Sequence, residues 1–385
     1  MIVETIYLDH AATTPLHKEV LDVMIPVAEE VFGNPSSIHS YGRKARQILD
    51  EARRTMARSI SADEKEIYFT SGGTEADNMA FIGTALENRK KGNHIITTNQ
   101  EHHAIYRSAE YLEQLGFDVT YLPIYENGLI SLDDLKEALT EKTILVSVMY
   151  VNNETGVIQP IPEIGEVLQE HQAFFHTDAV QAYGLLDINV KEMHIDLLST
   201  SAHKINGPKG IGFLYASEHV PVSSLTFGGE QERKRRAGTE NVVNVKGFQK
   251  AVEIMNETRK ENREKYTILK EQFLEILKEK NVDFDTNGDP SRTISSIVNI
   301  SFPGINVETM LTNLDLSGIA ASSGSACTAG TVDPSHVLVA MYGKNDERIN
   351  QSIRFSFGLN NTVENIREAA IRIAQIIHRL KGKRR

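Results

Sequence analysis

Residues 195–210 read IDLLSTSAHKINGPKG, an apolar run followed directly by a polar turn that ends in glycine. The run Ile195–Thr200 predicts a buried strand, and Lys204 lies in the turn after it. Burial at a strand end removes water from an amine, which lowers its pKa and leaves more of it unprotonated. Schiff-base chemistry requires an unprotonated lysine, so Lys204 is the first candidate catalytic residue. The alternative is a solvated loop charge.

On either side of this stretch, short β-type runs alternate with helical patterns such as the one over 161–171. Nearly apolar strands that alternate with helices predict an α/β fold with a mostly parallel sheet covered on both faces. The segment Gly210–Tyr215 follows the lysine turn so closely that an antiparallel return is expected. With it, the predicted strands number seven, and the others lie at 67–69, 94–98, 119–122, 144–150, 173–176 and 195–198.

The C-terminal part of the chain has a different pattern. A long charged helix is predicted over 242–280, followed by a strand over 294–300 and helices near 306–315 and 363–380. This order predicts a smaller α+β domain, closed by the N-terminal segment. The expected division is a large cofactor-binding domain over 14–255 and a small domain from 1–13 and 256–385.

Composition excludes several classes of protein. The 385 residues carry a formal net charge of −11, which disfavours direct contact with nucleic acid, and a single cysteine, which fits a reducing compartment. No apolar stretch approaches the roughly 20 residues of a membrane helix, and no secretion signal is recognisable. We therefore expect a cytoplasmic protein that contacts neither membrane nor nucleic acid.

Two motifs follow predicted strands and could bind an anionic or aromatic ligand. In the run 71–78, SGGTEADN, the backbone at Gly73 can converge on an anion, while Thr74 can cap the helix and bind phosphate. In the run 176–181, HTDAVQ, Asp178 can hold a pyridine nitrogen protonated and Gln181 can bind a phenolic oxygen. The alternatives are an ordinary capped helix start and a helix N-cap at Asp178.

Three further polar residues also follow or lie in predicted strands. His102 could stack on an aromatic cofactor and move protons, although isolated histidines are often structural. Asn153 lies in a turn, where its amide could instead satisfy backbone groups. Arg354, in a β-like run, could bind a carboxylate bidentately or be an exposed strand charge.

The single cysteine, Cys327, lies in the small-residue run 321–330, ASSGSACTAG. Such a run has few packing anchors, so we expect it to be mobile and exposed. Free cysteines are usually buried and inert, but the absence of bulky apolar neighbours favours a reactive thiol here.

Together these motifs resemble the cysteine desulfurases of the NifS/IscS family, which are aminotransferase-like enzymes that bind pyridoxal 5'-phosphate. The resemblance extends from YLDHAATTP at 7–15 to Phe357-Gly358 and includes RAGT at 236–239 and SGSAC at 323–327. It implies the fold of fold-type I pyridoxal phosphate enzymes. The cysteine motif matches the family group with a long mobile catalytic loop.

The resemblance also implies a role for each matching residue. Lys204 would bind the cofactor as a Schiff base, Asp178 would face the pyridine nitrogen, and Gln181 the ring hydroxyl. His102 would stack on the ring and activate a thiol, and Cys327 would attack the sulfur of L-cysteine, keep it as a persulfide and release L-alanine. The remaining roles are phosphate binding by Gly73, Thr74, Ser201 and His203, phosphate binding in the neighbouring subunit of a homodimer by Thr239, and substrate carboxylate binding by Asn153 and Arg354.

The persulfide would pass to a sulfur-acceptor protein. Family members that feed iron–sulfur scaffolds carry a C-terminal tail, whereas this sequence stops at Arg385. A tRNA thiolase is therefore the expected acceptor, ahead of an iron–sulfur scaffold.

Other functions remain open at this point. An aminotransferase or a lyase for selenocysteine or kynurenine would keep the cofactor but would not need Cys327. A metal hydrolase would use the histidines and carboxylate at His102, His103, His176, Asp178 and His203. The short helical histidine spacing that such sites often show is missing, however, and Lys204 would have no role. A non-catalytic sulfur-assembly subunit would not need Lys204, Asp178 and Cys327 together.

Overall fold

A computed structural model describes residues 5–324, 327–328, 331–332 and 334–382, without side chains at 327–328 and 331–332. The strands are β1 (Ile6–Tyr7), β2 (Ile67–Thr70), β3 (His94–Thr98), β4 (Asp118–Leu122), β5 (Thr143–Ser147), β6 (Phe174–Asp178), β7 (Leu197–Ser201), β8 (Gly212–Ala216), β9 (Asp285–Thr286), β10 (Ile297–Ser301), β11 (Ile319–Ala320), β12 (Cys327–Thr328), β13 (Thr331–Val332) and β14 (Ser352–Ser356). The helices are α1 (Lys18–Glu30), α2 (Ser40–Ser59), α3 (Gly73–Asn78), α4 (Thr84–Asn88), α5 (His103–Gln114), α6 (Leu132–Ala138), α7 (Ile161–Leu168), α8 (Val242–Glu279), α9 (Val307–Leu316), α10 (His336–Tyr342) and α11 (Val363–Gly382).

Seven strands form the central sheet, in the order β2-β8-β7-β6-β5-β3-β4. Within the run β7-β6-β5-β3-β4, each strand is parallel to the next. Strand β8 is antiparallel to both of its neighbours, β2 and β7. The mostly parallel α/β sheet and the antiparallel return after Lys204 are therefore confirmed. Most of its strands are buried along their whole length, because two apolar cores cover the two faces.

Several element ends differ from the sequence prediction. Helix α7 ends at Leu168 rather than at 171, because a turn over 169–170 and a bend over 171–173 lead directly into β6. The prediction that Thr74 caps a helix is wrong, since Gly72 occupies the cap position of α3 and makes no side-chain cap bond. Helix α3 continues through a π-helical turn, Met79–Gly83, into α4.

A third core lies around the antiparallel sheet β14-β10-β9 and helices α9 and α11. The N-terminal strand β1 joins this part of the fold, because it pairs in parallel with β11 and its neighbour Leu8 is fully buried there. Helix α8 spans 38 residues and contributes Phe248 to one core and Phe273 to the other. The predicted domain boundary at 255/256 falls inside this helix and stays a prediction.

Within the described part of the chain, no helix is both long and apolar enough to cross a membrane.

Candidate active site

A cavity of about 370 Å³ opens where the central parallel strands end. Strand β6 ends at Asp178 and β7 at Ser201, so both side chains reach its wall. Ten residues singled out from the sequence line this one cavity: Gly73, Thr74, His102, Asn153, Asp178, Gln181, Ser201, His203, Lys204 and Arg354.

Lys204 lies in a short 3₁₀ turn directly after β7. Its Nζ donates to the carbonyl oxygen of Ala12 at 2.9 Å and to that of Ala11, so the N-terminal segment holds the amine in place. Burial and the charge of Arg354 lower the pKa of Lys204 to about 8, against a smaller opposing effect of Asp178 and Asp9. The amine is thus poised near neutral pH, as nucleophilic lysines are.

Asp178 is buried at the end of β6, and its Oδ1 accepts from the backbone N–H of Val180 at 2.9 Å. This bond closes a turn and does not cap a helix. The other oxygen, Oδ2, has no hydrogen-bond partner among the described residues. Burial raises the pKa of Asp178, while the Val180 N–H and the charge of Lys204 oppose that rise.

A second carboxyl, Asp77, lies on the same wall and was not identified from the sequence. It is 1% exposed, and its Oδ1 lies 3.8 Å from His176 Nε2 without a hydrogen bond. Burial and the negative charge of Asp178 raise its pKa well above the usual range. The shift favours the protonated, neutral form of Asp77.

The start of α3 forms a narrow cradle. A Cβ at Gly73 would come within 2.7 Å of Val180 Cγ2, so only glycine allows this close approach of the backbone. The hydroxyls of Thr74 and Ser201 make no hydrogen bond within the described part of the chain, and His203 Nδ1 lies 3.1 Å from Thr13 Oγ1. Backbone N–H groups and free hydroxyls at a helix start suit a phosphate group.

His102 caps α5, because its Nδ1 accepts from the Ala104 N–H at 3.2 Å. The ring faces the open cavity, and solvent reaches it there. The pKa of His102 is lowered to about 4, mainly because protein atoms around the ring displace water and secondly because of the nearby charge of Lys204. His102 is therefore neutral at pH 7 and able to accept a proton.

Arg354 is 4% exposed, so it is not the exposed strand charge of the alternative interpretation. Its Nη2 donates to Asp9 Oδ1 at 2.8 Å and its Nη1 to the Asn153 carbonyl at 2.9 Å, while Nε has no partner. The Asn153 side chain makes no hydrogen bond among the described residues. Both residues line the cavity, where an arginine and an amide side chain can bind a carboxylate.

One predicted site residue lies away from the cavity, and the side chain of another falls outside the described part of the chain. Thr239 is exposed in the segment after β8 and does not line it. The backbone of Cys327 pairs with Val332 in the β12–β13 hairpin, but its side chain and neighbours 325–326 and 329–330 lie outside the described part. The predicted exposure of the 321–330 run is wrong for Ser323, which is 5% exposed.

Several acidic residues near the cavity were missed from the sequence. Asp9, Glu101 and Glu154 follow no recognisable spacing, whereas Asp77 comes one helical turn after Gly73 and could have been found by that spacing. Burial raises the pKa of Glu101 to about 8, and its Oε1 accepts from Thr98 and from the Met149 N–H. No group of three or more His, Cys, Asp or Glu among the described side chains is arranged to hold a metal ion.

Comparison with known proteins identifies the family. The model of the aminotransferase class-V family matches residues 6–368. The chain belongs to the class-V aminotransferase family. A Bacillus subtilis (strain 168) protein named "Putative cysteine desulfurase IscS 1" is 57% identical over 98% of this chain and 100% of its own length. A Clostridium botulinum "Cysteine desulfurase IscS" is 49% identical over 94% of this chain and 91% of its own.

Solved structures agree with this assignment. A "NIFS-LIKE PROTEIN" superposes with a TM-score of 0.90 at 33% identity, covering 97% of this chain and 99% of its own. "SspA in complex with cysteine" superposes with a TM-score of 0.82 at 37% identity, covering 91% and 98%. Within its family the chain is thus a cysteine desulfurase of the NifS/IscS type, a pyridoxal phosphate-dependent enzyme of fold-type I.

The residues of the cavity fit pyridoxal 5'-phosphate. The amine of Lys204 suits the aldehyde of this group, and the unpartnered Oδ2 of Asp178 suits its ring nitrogen. The cradle at Gly73 suits its phosphate. Each requirement is met by an observed feature of the chain.

Proposed function

We propose that this enzyme removes sulfur from L-cysteine, releases L-alanine and keeps the sulfur as a persulfide on Cys327 for transfer to an acceptor protein. The observation that carries the proposal is that Lys204 and Arg354 line the same cavity. Lys204 has a pKa of about 8, and the buried Arg354 has an Nε without a hydrogen-bond partner. An amino acid carries an amine and a carboxylate on one carbon, and Arg354 can bind the carboxylate.

Substrate binding is proposed to use Arg354 and Asn153. The Asp9 carboxylate fixes the Arg354 guanidinium through Nη2 and leaves Nε free for the substrate carboxylate. Because Arg354 is buried, a substrate carboxylate at this position would be shielded from water and its hydrogen bonds strengthened.

Proton transfer is proposed to use Lys204 and His102. Pyridoxal phosphate, when bound, withdraws electrons from the α-carbon of the substrate and so makes its proton removable. At pH 7 about a tenth of an amine with a pKa near 8 is unprotonated, which is enough for Lys204 to take that proton. His102, neutral at this pH, is placed to take the proton of a thiol.

In the sulfur step, the Cys327 thiolate attacks the Sγ atom of the substrate. An S–S bond forms, the Cβ–Sγ bond breaks, and its electron pair remains on the substrate carbon, which gains a proton on the way to alanine. A thiolate is the required form of Cys327, because the thiol is a weak nucleophile.

Two further features of the proposal concern partners. A tRNA thiolase is proposed as acceptor ahead of an iron–sulfur scaffold, on the expectation drawn from the sequence. A homodimer is proposed because large apolar side chains are exposed at the α1–α2 corner, where the rings of Phe32 and Tyr41 lie 5.1 Å apart. Phe32, Ile38 and Tyr41, which we name the corner patch, are 75%, 92% and 53% exposed.

The test is to incubate the cofactor-loaded enzyme with ³⁵S-labelled L-cysteine and to compare the wild type with Cys327→Ser. We expect equimolar alanine and protein-bound label from the wild type, with neither from the variant. Alanine from both proteins would contradict the proposal and indicate a lyase. Labelled wild type is then offered to a tRNA thiolase and, separately, to an iron–sulfur scaffold, and the faster transfer identifies the acceptor class.

A further inference from the structure

Glu154 is a buried carboxyl that the reaction above does not use. It follows Asn153 in the turn after β5 and is only 2% exposed. Burial raises its pKa, although a hydrogen bond from Ser335 and the charges of Arg354 and His103 act against that rise. A carboxyl in such a place usually has a defined partner, because its desolvation is costly.

The carboxyl of Glu154 contacts the chain on both sides of Cys327. On the C-terminal side, the Ser335 hydroxyl donates to Oε2 and also accepts from the Leu338 N–H at 3.1 Å, which caps α10. On the N-terminal side, a Cβ at Gly324 would lie 3.0 Å from Glu154 Cγ and Oε2, so the Gly324 backbone packs directly against this carboxyl. Gly324 also has a φ of +90°, which favours glycine.

The backbone of Glu154 is fixed to the substrate side of the cavity. Its N–H donates to Asn152 Oδ1 at 2.9 Å, and its carbonyl accepts from Asn299 Nδ2 at 3.2 Å. The preceding carbonyl, of Asn153, accepts from Arg354, whose own N–H donates to the Ser322 carbonyl at 2.7 Å. A short series of contacts therefore joins Arg354, Glu154 and both flanks of the Cys327 segment.

We propose that Glu154 is a positioning residue, which fixes Gly324 and Ser335 to the wall that carries Asn153 and Arg354 and thereby sets where Cys327 meets the substrate sulfur. This inference rests on the proposed function. It assigns Glu154 to the sulfur step and not to cofactor or substrate binding, because its carboxyl accepts from Ser335 and packs against Gly324, on the two flanks of the Cys327 segment.

The test compares Glu154→Ala, Glu154→Gln and Ser335→Ala with the exposed control Glu166→Gln. Two readouts separate the steps: the absorbance change of the loaded enzyme on addition of L-cysteine, and the single-turnover rate of ³⁵S appearance on Cys327. We expect Glu154→Ala and Ser335→Ala to keep the absorbance change and the KM for cysteine but to slow labelling about tenfold or more, since a misplacement of about 1 Å is that costly. Glu154→Gln, which retains an acceptor oxygen for Ser335, should recover most of the rate.

Equal slowing of both readouts, or labelling at the wild-type rate in Glu154→Ala and Ser335→Ala, would overturn the inference. If Glu154→Ala does not fold, the labelling rates of Ser335→Ala and Glu154→Gln are compared instead. The inference then requires slow labelling in Ser335→Ala and a largely recovered rate in Glu154→Gln. A wild-type enzyme that places no label on Cys327 would instead refute the proposed function, and the inference with it.

Discussion

At Lys204, burial and the guanidinium of Arg354 act in the same direction, and both lower the pKa of the amine to about 8. The contacts that hold the amine come from the carbonyls of Ala11 and Ala12, which belong to the other end of the chain. Carbonyl oxygens fix its position without adding a full negative charge, so the amine stays poised to react near neutral pH.

This pKa predicts how cofactor-free protein captures pyridoxal phosphate. Only the unprotonated amine reacts, so the rate of covalent capture, measured by absorbance and fixed with borohydride, should rise from pH 7 and level off above about pH 8 to 9. Lys204→Ala should capture none covalently. The exposed Lys209 provides the matched control, and Lys209→Ala should give the wild-type profile. A midpoint near 10.5 would show that the Lys204 amine is solvated.

The segment between β8 and α8 contains a left-handed turn that a buried ion pair stabilises. Glu232, Arg233 and Lys234 all have positive φ, at 45°, 55° and 70°, which costs non-glycine residues about 1–2 kcal/mol each. Glu232 forms a buried bidentate ion pair with Arg53 of α2, at 2.7 and 2.8 Å, and also accepts from the Phe69 N–H. The ion pair thus stabilises the left-handed turn and, through it, the position of the residues up to Thr239.

Removing Arg53 should therefore destabilise the protein strongly. Arg53→Met leaves the Glu232 carboxylate buried without its cation, which costs about 3–5 kcal/mol. Arg46→Met removes the exposed partner of Asp50 in the same helix and should cost less than about 1 kcal/mol. Urea unfolding followed by tyrosine fluorescence measures both, since the chain has 12 tyrosines and no tryptophan. Equal effects would mean that the buried pair does not stabilise the turn.

For the whole molecule, the corner patch predicts the oligomeric state. Three neighbouring apolar side chains are exposed there, and association with a second copy would bury them. Light scattering should therefore give twice the chain mass of 43.0 kDa for the wild type.

A charge in the patch tests this arrangement. Ile38→Asp should shift the mass towards 43.0 kDa and should weaken cofactor retention if Thr239 acts across the subunits. Leu316→Asp, at a site 77% exposed at the end of α9, should leave the mass unchanged. A wild-type monomer would refute the proposed dimer.

The sequence predicted the elements of this molecule better than their long-range partners. Strand β3 and helix α8 were placed to within a residue, because apolar periodicity is a local property. The strand order was not predicted, nor were the buried acids Asp77, Glu101 and Glu154. Asp9 is 345 residues from its partner Arg354 in the sequence, and Glu154 is 181 residues from its partner Ser335. Without its partner, an acid in a turn cannot be distinguished in the sequence from a solvated surface charge.

The pairing of β1 with β11 also determines when, during synthesis of the chain, the wall around Lys204 can form. Residues 6–12 contact Lys204 through Ala11 and Ala12, but the partners of this segment are Ile319, Ala320 and Ser356, which are synthesised more than 300 residues later. The nascent protein therefore keeps β1 unpaired until residues 319–320 have been made. Cofactor capture by a closed lysine pocket consequently follows the synthesis of β11, and a nascent chain arrested before residue 319 should emerge without the cofactor.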